Sequence, residues 1–289
     1  MPVAHRQGAD MRVFLAGATG VIGRALVPLL LEAGHQVIGT SGTAEGAARL
    51  DTLGATGMTL DVFDRAAVTD ALMHAKPDAV IHQLTSLRGG SPADNARIRR
   101  EGTRNLVDAA RKAGVGRIVA QSIAWAYEPG DLPADESVPL DLNASPPRAT
   151  TIGGIHALES KTAEIGHHVL LRYGTLYGPG TWYAPHALIA ARLRAGDLPA
   201  DDAVTSFVHV HDAARAALLA LSWPSGPVNI VDYEPAPARA WVPALAASFG
   251  EPVPVPVSGR AGWERGALNG KAVALGWRPL HPSWRTGFP

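Results

Sequence analysis

The chain reads as a doubly wound parallel α/β sheet followed by a smaller, less regular C-terminal lobe. Three observations predict it. Strand and helix patterns alternate over the first half, a glycine-rich turn joins the first strand to the first helix, and after Pro129 the alternation gives way to proline-rich loops. The elements follow in order. Residues 13–16 are a short apolar run ending at glycine. Residues 21–32 have helical spacing and stop at Gly34. Residues 36–40 are a strand, 44–53 a helix and 57–60 a short strand. Residues 65–75 are an amphipathic helix, 79–84 a buried strand, 94–113 one long helix ending at Gly114, and 117–122 a strand.

Beyond Pro129, loop sequence runs to about residue 148. A helix is expected at 154–165, a strand at 168–172 and a helix at 185–195. Residues 206–210 lead into a helix at 212–222, followed by a strand at 228–231 and a helix at 239–249. Residues 251–257, Glu-Pro-Val-Pro-Val-Pro-Val, must be an extended connector or edge, because alternate prolines have no N–H for a ladder.

The 289 residues carry 26 Lys+Arg against 26 Asp+Glu. A net charge of zero gives no electrostatic footprint for nucleic acid or an anionic membrane. No cysteine is present, which excludes disulfides, thiolate catalysis, Fe–S clusters and Cys-ligated zinc. No apolar run approaches the ~20 residues of a membrane span, and residues 1–10 lack the apolar core of a signal peptide. A disordered leader at 1–10 and a cytoplasmic protein are the expectations.

Gly17-Ala18-Thr19-Gly20-Val21-Ile22-Gly23 is the strongest local signal. It follows a strand and opens a helix, the context a dinucleotide loop needs. One glycine permits the tight turn, a second lets backbone N–H groups approach a pyrophosphate, and the third lets helix and strand pack closely. The helix N-terminus turns partial positive charge toward the phosphates.

This loop resembles that of the extended or atypical short-chain dehydrogenases/reductases, the epimerase/dehydratase-like group. Leu60-Asp61-Val62, Val80-Ile81-His82, Glu101-Gly102-Thr103-Arg104-Asn105-Leu106, Tyr177-Gly178-Pro179-Gly180, Phe207-Val208-His209-Val210-His211-Asp212 and Leu275-Gly276-Trp277-Arg278-Pro279 extend the resemblance over about 11–282. It implies a Rossmann domain over 11–172 and a mostly substrate-binding lobe over 173–289, with about 207–232 returning to the sheet. It places Asp61 and Val62 beside the adenine, Leu84, Thr85 and Ser86 along the inner ribose, and Tyr173 near the nicotinamide.

The second strand should end beside the adenosine ribose, where a carboxylate would select NAD and repel a 2′-phosphate. Gly39-Thr40-Ser41-Gly42-Thr43 has no carboxylate, and Ser41 and Thr43 can donate to a phosphate. NADP is therefore the expected cofactor over NAD, with Arg49 the nearest cation.

By the same resemblance, a serine after the fifth strand should meet a Tyr-x-x-x-Lys pair. Ser122 fits the serine, both as substrate-oxygen donor and beside the cofactor. No tyrosine here has a lysine four residues on. One register aligns Lys161 with the family lysine and Ala157 with its tyrosine. The preferred one aligns Glu159 with the family glutamate, putting Thr151 at tyrosine and Ile155 at lysine. Tyr127 and His156 are the candidate substitute acids. Ser86, Tyr177, Trp182, Tyr183 and His186 are the expected pocket lining, with Trp263 able to reach it, and they suit a bulky apolar or aromatic substrate. His209 and His211 share a strand face, but no third ligand is evident and no metal is expected.

Three functions compete. The first is an NADP-dependent reductase or dehydrogenase of a small carbonyl or hydroxyl compound, possible in specialised metabolism, with a non-standard proton donor. The second is a non-redox isomerase, cyclase or lyase that retains the nicotinamide. The third is a non-catalytic NADP-binding regulator. A small-molecule substrate is expected in the first two, and a homodimer is compatible with all three.

Overall fold

The computed structural model describes residues 10–86 and 91–288. Apart from Asp10, the expected leader lies outside the described residues.

The first half alternates as the patterns require: β1 (Arg12–Ala16), α1 (Val21–Glu32), β2 (Gln36–Ser41), α2 (Ala44–Thr52), β3 (Thr56–Thr59), α3 (Arg65–Ala75) and β4 (Ala79–His82). Side-chain caps set two of the helix starts. Thr43 Oγ1 accepts from Gly46 N at 3.1 Å ahead of α2, and Asp64 Oδ1 accepts from Ala66 N and Ala67 N at 3.0 Å ahead of α3. α1 carries Pro28 on its exposed side, while Leu26, Val27 and Leu30 are buried on the other. That burial holds the helix despite the missing N–H.

The single helix expected at 94–113 is instead two helices, α4 (Pro92–Arg97) and α5 (Thr103–Lys112), joined by a π-helical turn, Ile98–Gly102. A Cβ on Gly102 would lie 3.1 Å from Val62 Cγ1. Thr103 turns its hydroxyl onto buried His82 while Leu106, Val107 and Ala110 face the core. One extra residue in the turn serves both demands.

β5 (Arg117–Ile123) is followed by α6 (Arg148–Thr162), β6 (His167–Tyr173), β7 (Thr175–Tyr177), α7 (Leu188–Ala195), β8 (Val204–Thr205), β9 (Phe207–His209), α8 (Val210–Leu219), β10 (Gly226–Ile230), β11 (Ala236–Pro237) and α9 (Ala238–Phe249). α6 starts six residues earlier than expected. The run Thr150 to Gly154 has poor helix propensity, but Ile152 and Ile155 bury against Ile123 and Ala126, and tertiary packing decides.

The main sheet is parallel and seven-stranded, in the order β10-β6-β5-β4-β1-β2-β3. The order reverses at β1, between β4 and β2, where ligands bind in open α/β sheets. Within the expected return segment 207–232, β10 joins this sheet at its edge, whereas β9 pairs with β7 in a separate parallel pair.

The described residues divide into two compact units. The first comprises 10–86, 91–120, 157–169 and 217–226, and the second 121–156, 170–216 and 227–288. The first is cored by Phe14, Val68, Leu72, Val80, Leu106, Val107 and Ile118. The second has an aromatic core of edge-to-face pairs, with ring centroids 5.4 Å apart for Tyr183–Phe207 and 5.2 Å for Phe207–Trp241.

Candidate functional site

The first unit carries the glycine loop between β1 and α1. Gly17 has φ +88°, and a Cβ there would stand 2.8 Å from the Gln83 carbonyl oxygen. A Cβ on Gly23 would overlap the Gly17 carbonyl and the Ala18 backbone. Those two glycines are spent on the turn and on loop packing. A Cβ on Gly20 would meet only the Gly17 oxygen, at 3.2 Å, so the outer face of the loop stays open at Gly20. Gly20 is also the N-cap of α1, and no side chain caps that 12-residue helix. Open backbone N–H groups at the positive end of a helix suit a pyrophosphate, and the cradle fits a dinucleotide. Thr19, Val21 and Ile22 belong to this turn, and Ile22 is buried.

At the end of β2, Ser41 is buried. Its Oγ accepts from Thr43 N at 3.2 Å and lies 3.3 Å from Thr19 Oγ1. Thr43 caps α2 with its hydroxyl, so its side chain has a structural duty first. Arg49 is exposed near the far end of α2. Asp61 Oδ1 accepts from Phe63 N at 2.9 Å, and Val62 O accepts from Asn105 Nδ2 at 3.0 Å, fixing the turn after β3. The segment after β4 is pinned similarly. Asn95 accepts from Ser86 N at 2.8 Å and donates to Ser86 O at 3.0 Å. Leu84 and Thr85 beside it are half-buried.

His82 closes β4. Leu84 N donates to its Nδ1 at 3.3 Å, so Nε2 carries the proton and donates to Thr103 Oγ1 at 2.9 Å. Burial, with Arg99 adding like charge, pushes the His82 pKa down to about 4. Burial also pushes Arg99, on the π-helical turn, down to about 10.

The sequence-predicted catalytic residues lie in the second unit. Ser122 is buried near the C-terminal end of β5. Tyr127 is 1% exposed, and its hydroxyl donates to Asn229 Oδ1 at 2.5 Å. Burial pushes its pKa up to about 12, against the pull of Arg172, whose guanidinium lies 4.9 Å from the ring. Tyr127 is a buried residue whose hydroxyl proton lies in the hydrogen bond to Asn229. On α6, Thr151 is half-buried, Ile155 fully buried and His156 exposed.

Lys161 belongs to the first unit. Its Nζ bonds Asp108 at 2.8 Å and Glu164 at 3.0 Å, and the Asp108 bond is the main cause raising its pKa. It is an ion-pair residue there.

Of the expected pocket and nicotinamide residues, three are core. Tyr177 and Tyr183 are buried among Phe207 and Phe288, and Tyr173 is buried with its hydroxyl 3.3 Å from Ala213 O. Periodicity could not distinguish this from a pocket wall, because both want aromatics. Trp182 is 42% exposed and His186, at φ +64°, is exposed. His209, Asp212 and His281 bring ligand-type atoms within 4.8 Å of one another. Hydrogen bonding accounts for them: Asp212 accepts from Leu280 N, His281 N, His281 Nδ1 and Arg215. The His209 ring stacks on His281 at 3.6 Å.

The sequence reading missed Trp125 and Arg148. Trp125 follows Ser122 by three residues, 38% exposed, with its ring 6.3 Å from Trp263. Arg148 opens α6 with its guanidinium 4.2 Å from the Trp263 ring. A tryptophan three residues beyond the strand-end serine was the available signal.

Comparison with known proteins matches residues 13–231 to the NAD dependent epimerase/dehydratase family. A Streptomyces protein named 3-diazoavenalumate denitrifying reductase is 44% identical over 305 aligned residues, spanning 96% of this chain and 99% of that one. UDP-glucose 4-epimerase of Thermus thermophilus, solved with NAD, is 28% identical with a TM-score of 0.75, covering 96% of each chain. UDP-glucose 4-epimerase of Mycolicibacterium smegmatis is 32% identical over 155 residues, 50% of this chain and 49% of that one.

Proposed function

The chain belongs to the NAD dependent epimerase/dehydratase family and is an NAD(P)-dependent oxidoreductase, and from that premise we propose that it is an NADPH-dependent reductase that removes nitrogen from an aryl diazonium carboxylate. The Streptomyces relative's name specifies a diazo-bearing carboxylate and loss of nitrogen. What supports the reading is that no tyrosine of the chain has a lysine four residues on, and that in the preferred register of α6 the resemblance puts half-buried Thr151 and fully buried Ile155 at the positions of the acid and its lysine. Reducing a carbonyl takes a hydride and a proton, and a positioned acid contributes ~10²–10⁴-fold. Reducing a diazonium ion takes no proton. When bound, the nicotinamide supplies the hydride, and Ar–N₂⁺ + NADPH gives Ar–H + N₂ + NADP⁺: the C–N pair leaves with N₂ and a C–H bond forms. The substrate is aryl because alkyl diazonium ions lose nitrogen unaided.

This chain's residues then have binding and orienting roles. Gly17, Thr19, Gly20, Val21, Ile22 and Gly23 hold the pyrophosphate, and Ser41, replacing a carboxylate, admits the 2′-phosphate. Ser122 offers the polar contact to the reacting group, and Trp125 with Trp263 supplies aromatic surface. Exposed His156 favours a second reading, carbonyl reduction with a histidine acid.

A pH-stat separates the two. With an aryl diazonium carboxylate and NADPH, one N₂ should appear per NADPH oxidised, with no proton uptake above the enzyme-free control. Uptake of one proton per NADPH with carbonyl compounds, and no turnover of the diazonium, overturns the proposal.

A further inference from the structure

Resting on that reading, we propose that Arg148, Trp263 and Trp125 form a subsite for an aromatic carboxylate, with the guanidinium taking the acid and the indoles the ring. All three belong to the second unit. Arg148 is the first residue of the 15-residue helix α6, where the helix presents its positive end.

The guanidinium is held from two sides. Nε donates to Asp141 Oδ2 at 2.9 Å and Nη2 to the Tyr127 carbonyl at 3.1 Å. Its side chain is 11% exposed and that of Asp141 9%. One atom is left over. Nη1 is sealed from solvent and has no hydrogen-bond partner among the described residues. A buried guanidinium N–H without an acceptor is costly, and native proteins seldom keep one without a reason. A ligand acceptor supplies one.

The cover over this group is aromatic. Trp263 lies against the guanidinium, with Cζ 4.2 Å from the ring centroid, and the Trp125 ring lies 6.3 Å from that of Trp263 at 46°. Trp263 is half-buried and Trp125 exposed, so both indoles keep area open to solvent. An aromatic acid stacked on them points its carboxylate at the guanidinium once Trp263 shifts aside. The fork geometry suits a planar carboxylate. Two residues of α6 already considered, Thr151 and His156, lie three and eight positions further along the same helix.

The test uses probes with no diazo group: cinnamate and methyl cinnamate, titrated into the NADPH-bound enzyme by calorimetry and tryptophan fluorescence. The acid should bind about 10- to 100-fold more tightly than the ester, the range of a charged hydrogen bond. Arg148→Met should erase that ratio while NADPH affinity stays near wild type, and it should lower the melting temperature, because the Asp141 carboxylate loses its partner. Arg148→Lys should restore part of it. Trp125→Ala should weaken acid and ester by similar factors, leaving the ratio. If Arg148→Met fails to fold, the wild-type ratio and Arg148→Lys still decide. Equal binding of acid and ester by wild type overturns the subsite, as does a ratio that survives in the Met or Lys variant undiminished. A subsite that passes while the diazonium assay fails would overturn the reaction and leave the subsite standing.

Discussion

A single side chain at the end of β2, Ser41, carries the proposed preference for NADPH. Ser41 Oγ takes the Thr43 N–H and lies beside Thr19, so the position is ordered, and it carries no negative charge. Ser41→Asp should lower NADPH affinity relative to NADH at least ~10-fold, since a carboxylate binds the ribose hydroxyls and repels a 2′-phosphate. Fluorescence titration of both cofactors reads the ratio, and an unchanged ratio would place the 2′-phosphate elsewhere. The turn at Gly17 to Gly23 was legible because glycine spacing between a strand and a helix is a local signal. Tyr127 was not. The partner that commits its phenol, Asn229, is 102 residues distant, and no local pattern reports a pairing of that separation. Arg148 escaped for the same reason, since Trp263 is far along the chain.

At the scale of the element, α6 carries the positions that the resemblance gives to the acid and its lysine, and its register separates the two proposed chemistries. In the other register Lys161 would serve the cofactor, whereas its ammonium joins α6 to α5 through Asp108 and pairs with Glu164 just beyond the helix. Lys161→Met should therefore cost ~0.5–1 kcal/mol of stability, typical of a partly exposed pair, and leave kcat within about two-fold. A collapse of kcat with unchanged stability would restore the other register. Element type was readable throughout β1 to β5, because short apolar runs bounded by turns differ there from the 3.6-residue spacing of the helices. The π-helical turn at Ile98–Gly102 was not, since it leaves the apolar spacing of a long helix almost intact while answering to Val62 and His82 from other elements. The early start of α6 was hidden by Thr150, Thr151 and two glycines, whose propensity is overruled by burial of Ile152 and Ile155.

Over the whole chain, the parallel character of the main sheet followed from strand–helix alternation alone, but the arrangement after Pro129 depends on long-range polar contacts that patterning does not encode. The C-terminal segment shows this. Three carboxylates of the second unit receive it: Asp212 takes Leu280 N and His281 N, Asp232 takes Trp284 N at 2.9 Å, and Glu234 takes Ser283 and Arg285. Asp232 also accepts from Glu234 N at 3.0 Å. Burial outweighs these N–H donors and raises its pKa to about 7. The unfolded value is ~3.9, so the folded state binds the extra proton between about pH 4 and 7. Asp232 therefore contributes most to stability below pH 4, and its contribution falls as pH rises through 7, then stays flat. The loss is on the order of a few kcal/mol. Asp232→Asn removes the titration, so the stability of this variant relative to wild type should rise between pH 5 and pH 8. Urea unfolding at both values measures the difference. A relative stability that is flat or falls with pH would mean that the N–H groups of Glu234 and Trp284, not burial, govern the carboxylate.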